Sequence, residues 1–144
     1  MSSFIARFSL PVLILSLILL AATGNLISPQ PLVILGQIAG LAVIISARVT
    51  FARQKFNLTA HPADGPLLRA GPYRLIRHPM YTGALLAVLS SVAGHWSVLT
   101  ASVGIALTAL VLVRIHIEER MLSAHYAEYA SYASETKRIV PFVY

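Results

Sequence analysis

Residues 71 to 83 read GPYRLIRHPMYTG, and how this stretch is read decides the fold. It holds three side chains that carry or can take up positive charge (Arg74, Arg77, His78), two tyrosines (Tyr73, Tyr81) and two prolines (Pro72, Pro79). Immediately after it the chain turns apolar. Gly71-Pro72 is a turn signal, because the residue before a proline is pushed away from helical geometry. Pro79 suits the first turn of a helix, where its missing N–H costs nothing. Arg77-His78-Pro79 therefore reads as the N-terminal rim of an apolar helix, with free backbone N–H groups and the positive end of the helix dipole beside it.

Working outward, the apolar helix is one of four such segments, at about residues 8–22, 32–47, 80–93 and 98–113. Hydrophobic residues make up 57% of the 144 and charged residues 11%. A soluble domain carries about 25% charge, so the composition points to a membrane protein. Each segment falls short of the ~20 residues of a spanning helix, and flanking apolar residues extend it. All eleven lysines and arginines fall before the first segment, between the second and third, or after the fourth; the loops TGNLISPQP and GHWS have none. Four crossings put every cation on the cytoplasmic side together with both termini. The expectation is an all-α integral membrane four-helix bundle in the cell membrane, with a cytoplasmic C-terminal helical extension. It forms one domain over 1–144: two helices in 1–50, a loop over 51–78, then a helical hairpin and C-terminal region over 79–144. The opening MSSFIARFSLPVLILSLILLAATG also has the outline of a signal peptide, but removing it breaks the charge pattern.

Smaller features fit the same plan. Pro11 falls early in the first helix, where a bend is tolerated. Gly36 and Gly40 in GQIAG allow close helix approach. His61-Pro62 and Gly65-Pro66 mark turns in the cytoplasmic loop. The fourth helix is expected to run on into VRIHIEERMLSAHYAEYASYAS, where Glu118, Leu122, His125, Tyr129 and Tyr132 form one stripe at spacings of four and three. Arg114 and Glu118 can pair at i,i+4. The tail TKRIVPFVY is too short to span and is expected to fold back on the membrane surface.

Two polar clusters thus face one side: the cationic rim and the carboxylates Glu118 and Glu119. A ligand that wants both has a carboxylate, an ammonium, a ribose and a purine. Arg77 and the helix N-terminus suit its carboxylate, the glutamates its ammonium or ribose hydroxyls, and Tyr73 or Tyr81 its base. S-adenosylmethionine has these parts, although the spacing alone does not single it out. Plainer readings stand beside this one. Arg74 and Arg77 can be headgroup anchors, Glu118 can simply pair with Arg114, and Glu119 with a loop cation. No metal-ligand set has convincing spacing. With no cysteine there is no thiol nucleophile, and no Gly-rich strand-to-helix turn of the Rossmann kind is present.

The two clusters resemble the integral membrane methyltransferases related to isoprenylcysteine carboxyl methyltransferase and to phospholipid methyltransferases. Those proteins run Gly-x-Tyr-Arg into Arg-His-Pro-x-Tyr-x-Gly, then carry an Arg, a Glu-Glu pair and a Leu at a membrane helix end, matched here by Arg114, Glu118, Glu119 and Leu122. Glu128, Tyr129, Tyr132, Arg138 and Pro141 match their Tyr-rich tail and closing Arg-x-x-Pro. The resemblance covers about residues 60 to 144; Tyr126-Ala127 departs from a usual Phe-Gly. It implies an S-adenosylmethionine-dependent methyltransferase whose acceptor is lipophilic or delivered by the membrane: a prenylcysteine-like carboxylate, a phospholipid amine, or a small thiol or alcohol. No nucleic-acid partner is implied. Carried over, Tyr73, His78, Tyr81, Gly83, Glu118, Glu119 and Tyr129 bind the cofactor, and Arg77 and Glu118 are catalytic. The rivals are a nicotinamide-dependent sterol-type membrane reductase, which lacks the Glu-Glu pair, and a small non-enzymatic membrane protein.

Overall fold

The computed structural model describes residues 14–52 and 67–141. The start of the first segment with Arg7 and Pro11, the loop turns at His61-Pro62 and Gly65-Pro66 with Arg53 and Lys55, and Tyr144 lie outside the described residues. Among those described the regular structure is helical. Residues 14–22 belong to α1. Then follow α2 (Pro31–Phe51), a 3-10 turn (Gly71–Arg74), α3 (Pro79–Gly94), α4 (Val98–His125) and α5 (Tyr129–Glu135).

Local chemistry sets the helix starts. Proline opens both α2 and α3. Serine and threonine open α4: Thr100 N donates to Ser97 Oγ at 3.1 Å, and Ser97 N donates back to Thr100 Oγ1 at 2.9 Å. This is a capping box with threonine in the third position. Ser97→Ala is expected to cost about 1 kcal/mol, read as a lower thermal unfolding midpoint in detergent.

α2 lies antiparallel on α3 through glycines. A Cβ built on Gly36 would lie 2.1 Å from Ser90 Oγ, and one on Gly94 would lie 2.7 Å from Val33 Cγ2. Further along, toward the start of α3, Gly40 and Gly83 are so close that a Cβ on either would sit 2.5 Å from the carbonyl oxygen of the other. Backbone contact of this kind drives helix association where lipid removes the hydrophobic incentive. α3 and α4 pack through larger side chains. Leu20 of α1 joins Val88, Val92 and Leu107 toward one end, and Leu85, Val111, Ile115 and Ile139 cluster toward the other. Leu32, Leu35, Ile38, Leu41, Ile45 and Val49 stay exposed along α2, an apolar surface suited to lipid. α2 and α4 are long and apolar enough to cross a membrane, and α3 is a shorter apolar helix of 16 residues.

At the end of the bundle away from Arg77, the α1–α2 loop dips between helices. The Leu26 carbonyl accepts from Gln37 Nε2 at 2.6 Å and from Ser91 Oγ at 2.8 Å. A cleft of about 140 Å³ lies there, lined by Leu17, Leu26, Ile27, Gln37, Ala87, Val88 and Ser91.

At the charged end the structure departs from the expected continuous stripe. α4 runs past the apolar segment as expected but stops at His125, where Tyr126 turns extended (φ −107°, ψ 116°). Tyr129 and Tyr132 restart as α5 and are 5% and 4% exposed, whereas His125 is exposed and packs edge-on against Tyr126. A straight continuation would project the two tyrosines away from the bundle; the turn buries them under the rim.

The tail after α5 then returns along that rim. Arg77 N donates to the Lys137 carbonyl at 2.7 Å and His78 N to the Arg138 carbonyl at 3.1 Å. Lys137 N donates to the Leu75 carbonyl at 3.1 Å, and Ile76 and Lys137 form a parallel bridge. Thr82 Oγ1 donates to the Ile139 carbonyl at 2.8 Å. Residues 136–141 thus form a strap that pairs with the rim through the backbone.

Candidate functional site at the charged rim

His78 stands at the N-cap of α3, so its side chain is fixed where the helix opens. Thr82 N takes the first helical bond, to the His78 carbonyl at 3.0 Å. Pro79 has no N–H, and the N–H groups of Met80 and Tyr81 have no intrahelical acceptor. The His78 ring stacks on Tyr81, with centroids 5.8 Å apart and planes inclined by 28°.

Antiparallel packing brings the end of α4 to this point. Glu118 and Glu119 are adjacent on the helix and straddle the imidazole. His78 Nδ1 lies 3.6 Å from Glu118 Oε2, and His78 Nε2 lies 3.5 Å from Glu119 Oε1. Glu118 Oε1 accepts from the Tyr81 hydroxyl at 2.6 Å and from Arg114 Nε at 3.2 Å. Arg114 Nε also donates to the Tyr81 hydroxyl. The i,i+4 pair read from sequence is therefore present, and Tyr81 closes it into a triangle spanning two helices. Glu119 is held at both oxygens, with Arg77 Nε on Oε1 and Arg138 Nε on Oε2, each at 2.8 Å.

Arg77 reaches further. Its Nη1 donates to the carbonyls of Ala133 at 2.8 Å and Thr136 at 2.5 Å. These lie at the C-terminal end of α5, where helix carbonyls lack partners and a cation is favoured. One guanidinium thus ties the α3 rim, the end of α4 and the end of α5. Tyr132 adds a second tie, its hydroxyl donating to the Tyr73 carbonyl at 2.8 Å. Arg69 donates to the Glu128 carbonyl at 3.1 Å and lies over the Tyr132 ring, 5.5 Å from its centroid.

Two buried polar atoms here have no hydrogen-bond partner: His78 Nε2 and the Tyr129 hydroxyl. Their residues are 6% and 5% exposed. An unsatisfied buried polar group costs about 1–3 kcal/mol, and such groups in native proteins call for an explanation. Burial pushes the Tyr129 phenol well above its ordinary range and lifts that of Tyr132 to about 12. Both hydroxyls keep their protons at neutral pH.

Of the residues singled out from sequence, Arg77, His78, Tyr81, Glu118 and Glu119 share one bonded cluster, and Tyr129 lies beside it. Tyr73 borders the cluster. Its ring packs on Phe51, 6.3 Å between centroids, and its phenol is lifted to about 12 by burial, Tyr132 and Glu118. Gly83 is elsewhere, on the face of α3 that meets α2. Arg138, Thr136 and the Ala133 carbonyl are the participants that motif reading does not pick out by role. The signal for Arg138 was the closing Arg-x-x-Pro of the resemblance, which marks the residue without naming Glu119 as its partner.

Residues 30–129 match the phospholipid methyltransferase family. Over 79 residues the chain is 36% identical to the cobalt-zinc-cadmium resistance protein CzcN of Cupriavidus metallidurans, an alignment covering 54% of this chain and 37% of that protein. The chain thus spans well under half the length of this curated relative. No solved structure matches it. The family match takes in α2, α3 and α4 whole, with the rim and both glutamates: the chain belongs to the phospholipid methyltransferase family, whose members are membrane methyltransferases.

Proposed function

We propose that the chain transfers a methyl group from S-adenosylmethionine to a lipophilic or membrane-delivered acceptor. The observation that carries this reading is the pair of buried atoms without a hydrogen bond, His78 Nε2 and the Tyr129 hydroxyl, at the point where cations and carboxylates converge. These atoms fit a ligand rich in hydrogen-bonding groups. S-adenosylmethionine supplies an electrophilic methyl on a sulfonium, whose transfer disperses positive charge. The protein's task is then alignment in a dry site.

In this reading His78 and Tyr129 contact the cofactor directly. The free N–H groups of Met80 and Tyr81 at the start of α3 receive its carboxylate. Glu118 Oε2 has no hydrogen bond, Oε1 being taken by Tyr81 and Arg114; it accepts a ribose hydroxyl or the ammonium, and it is the base for an acceptor that must lose a proton. Glu119, gripped by two arginines, shapes the site, while Tyr81 and Tyr73 offer rings to the purine. Arg77 keeps one donor, Nη2, to orient an anionic acceptor. Gly83 serves indirectly, by letting α2 approach the helix that carries the rim. In this reading the chain forms a single domain of four spans with both termini and the site on the cytoplasmic face of the cell membrane, an orientation that the loop cations support. Acceptors consistent with the site are a prenylcysteine-like carboxylate, a phospholipid amine, or a small thiol or alcohol.

Calorimetry on the detergent-purified protein tests this, with S-adenosylhomocysteine and NADPH titrated separately. Binding of the first is expected; binding of NADPH alone overturns the reading. Tyr129→Phe gives a sharper check. It is expected to weaken S-adenosylhomocysteine binding by roughly tenfold, yet leave thermal stability unchanged or raised, because it removes a hydroxyl that is unsatisfied without ligand.

A further inference from the structure

Arg138 sits on the strap rather than on any helix, yet it touches both halves of the site. Its carbonyl accepts from His78 N at 3.1 Å, and its Nε holds Glu119 Oε2 at 2.8 Å. Arg77 grips the other oxygen of the same carboxylate from the rim. A carboxylate held at one oxygen can rotate about its terminal bond; one held at both, from separate elements, cannot. In the fixed position Glu119 Oε1 stands 3.5 Å from His78 Nε2, and Nε2 makes no hydrogen bond. A small rotation of the carboxylate would bring an oxygen onto Nε2 and occupy it.

We propose that Arg138 is a positioning residue for methyl transfer: by fixing the second oxygen of Glu119 it holds the carboxylate at ion-pair distance, short of a hydrogen bond to the imidazole, so that His78 Nε2 stays available to the methyl donor. This rests on the donor-site reading above. It also gives the strap a task beyond packing, since the backbone pairing of Lys137 and Arg138 with Leu75, Arg77 and His78 sets the register that aims the guanidinium.

The test is S-adenosylhomocysteine affinity by calorimetry, with thermal unfolding measured in parallel, for the full-length protein and three variants. Arg138→Gln is expected to weaken binding roughly tenfold or more, the range for losing a charge-assisted hydrogen bond. The strap's backbone bonds remain, so it is expected to fold. Arg138→Lys restores a cation and is expected to recover affinity to within about threefold of wild type. Lys137→Gln removes the neighbouring charge, which is exposed, and is expected to stay within about twofold. Unchanged binding by Arg138→Gln, or an equal loss in Lys137→Gln, overturns the proposal. Failure of the wild-type protein itself to bind is a different result: it overturns the donor-site reading, and this inference with it.

Discussion

Arg77→Ala is expected to destabilise the protein by about 3–5 kcal/mol, the largest effect of any single substitution at the rim. The Arg77 and Glu119 side chains are 10% and 12% exposed. Removing the guanidinium leaves a largely buried carboxylate with one of its two arginine partners gone. It also strips the Ala133 and Thr136 carbonyls of their donor, and α5 loses the cation at its C-terminal end. Arg77→Lys is expected to recover only part of the loss, because a point charge cannot reach Glu119 and the two carbonyls together. Thermal or denaturant unfolding in detergent reads the change. A variant as stable as wild type would mean that the three-way tie does not hold α5, and would return Arg77 to the plainer role of headgroup anchor.

Gly83→Ala ranks second, with an expected cost of about 2–3 kcal/mol. That is the upper part of the overpacking range, because the added Cβ meets backbone: Gly40 O at 2.5 Å and Ile44 N at 3.1 Å. Neither can yield without moving α2. Gly40→Ala is expected to behave alike, since its Cβ meets Gly83 O at 2.5 Å. The pair separates two roles for Gly83. If it packs helices, the unfolding midpoint falls and S-adenosylhomocysteine affinity of the folded fraction holds. If it touches the cofactor, affinity falls while stability holds.

These two cases show what sequence can and cannot convey. The rim was legible because proline and the polar-to-apolar switch at Pro79 are local signals, and the helix starts at Pro31 and Pro79 follow from them. The meeting of rim and carboxylates followed from chain reversal at Gly94-His95-Trp96 and the charge count of the loops. Gly83 follows Tyr81 in the motif, but two residues along a helix point to different faces, and the structure sets Gly83 against Gly40 of α2. That neighbour was signalled by Gly36 and Gly40, which needed a small-residue face on a neighbouring helix. The end of α4 was hidden because HYAEYASY contains neither glycine nor proline; tertiary burial of Tyr129 and Tyr132 breaks that helix, and local propensity does not. The capture of α5 by Arg77 runs through backbone carbonyls, which every sequence has and none advertises.

The brevity of α3 has a consequence for the surrounding bilayer. Sixteen residues at 1.5 Å each extend about 24 Å, short of a hydrocarbon layer of about 30 Å. If α3 spans as proposed, lipids lining it compress to avoid exposing their chains or drowning its charged mouth, at a fraction of a kcal/mol per ångström. On the proposed four-span reading the leaflet dimples beside His78 and Glu118, and the proposed headgroup-borne acceptor comes nearer the rim without leaving its own monolayer.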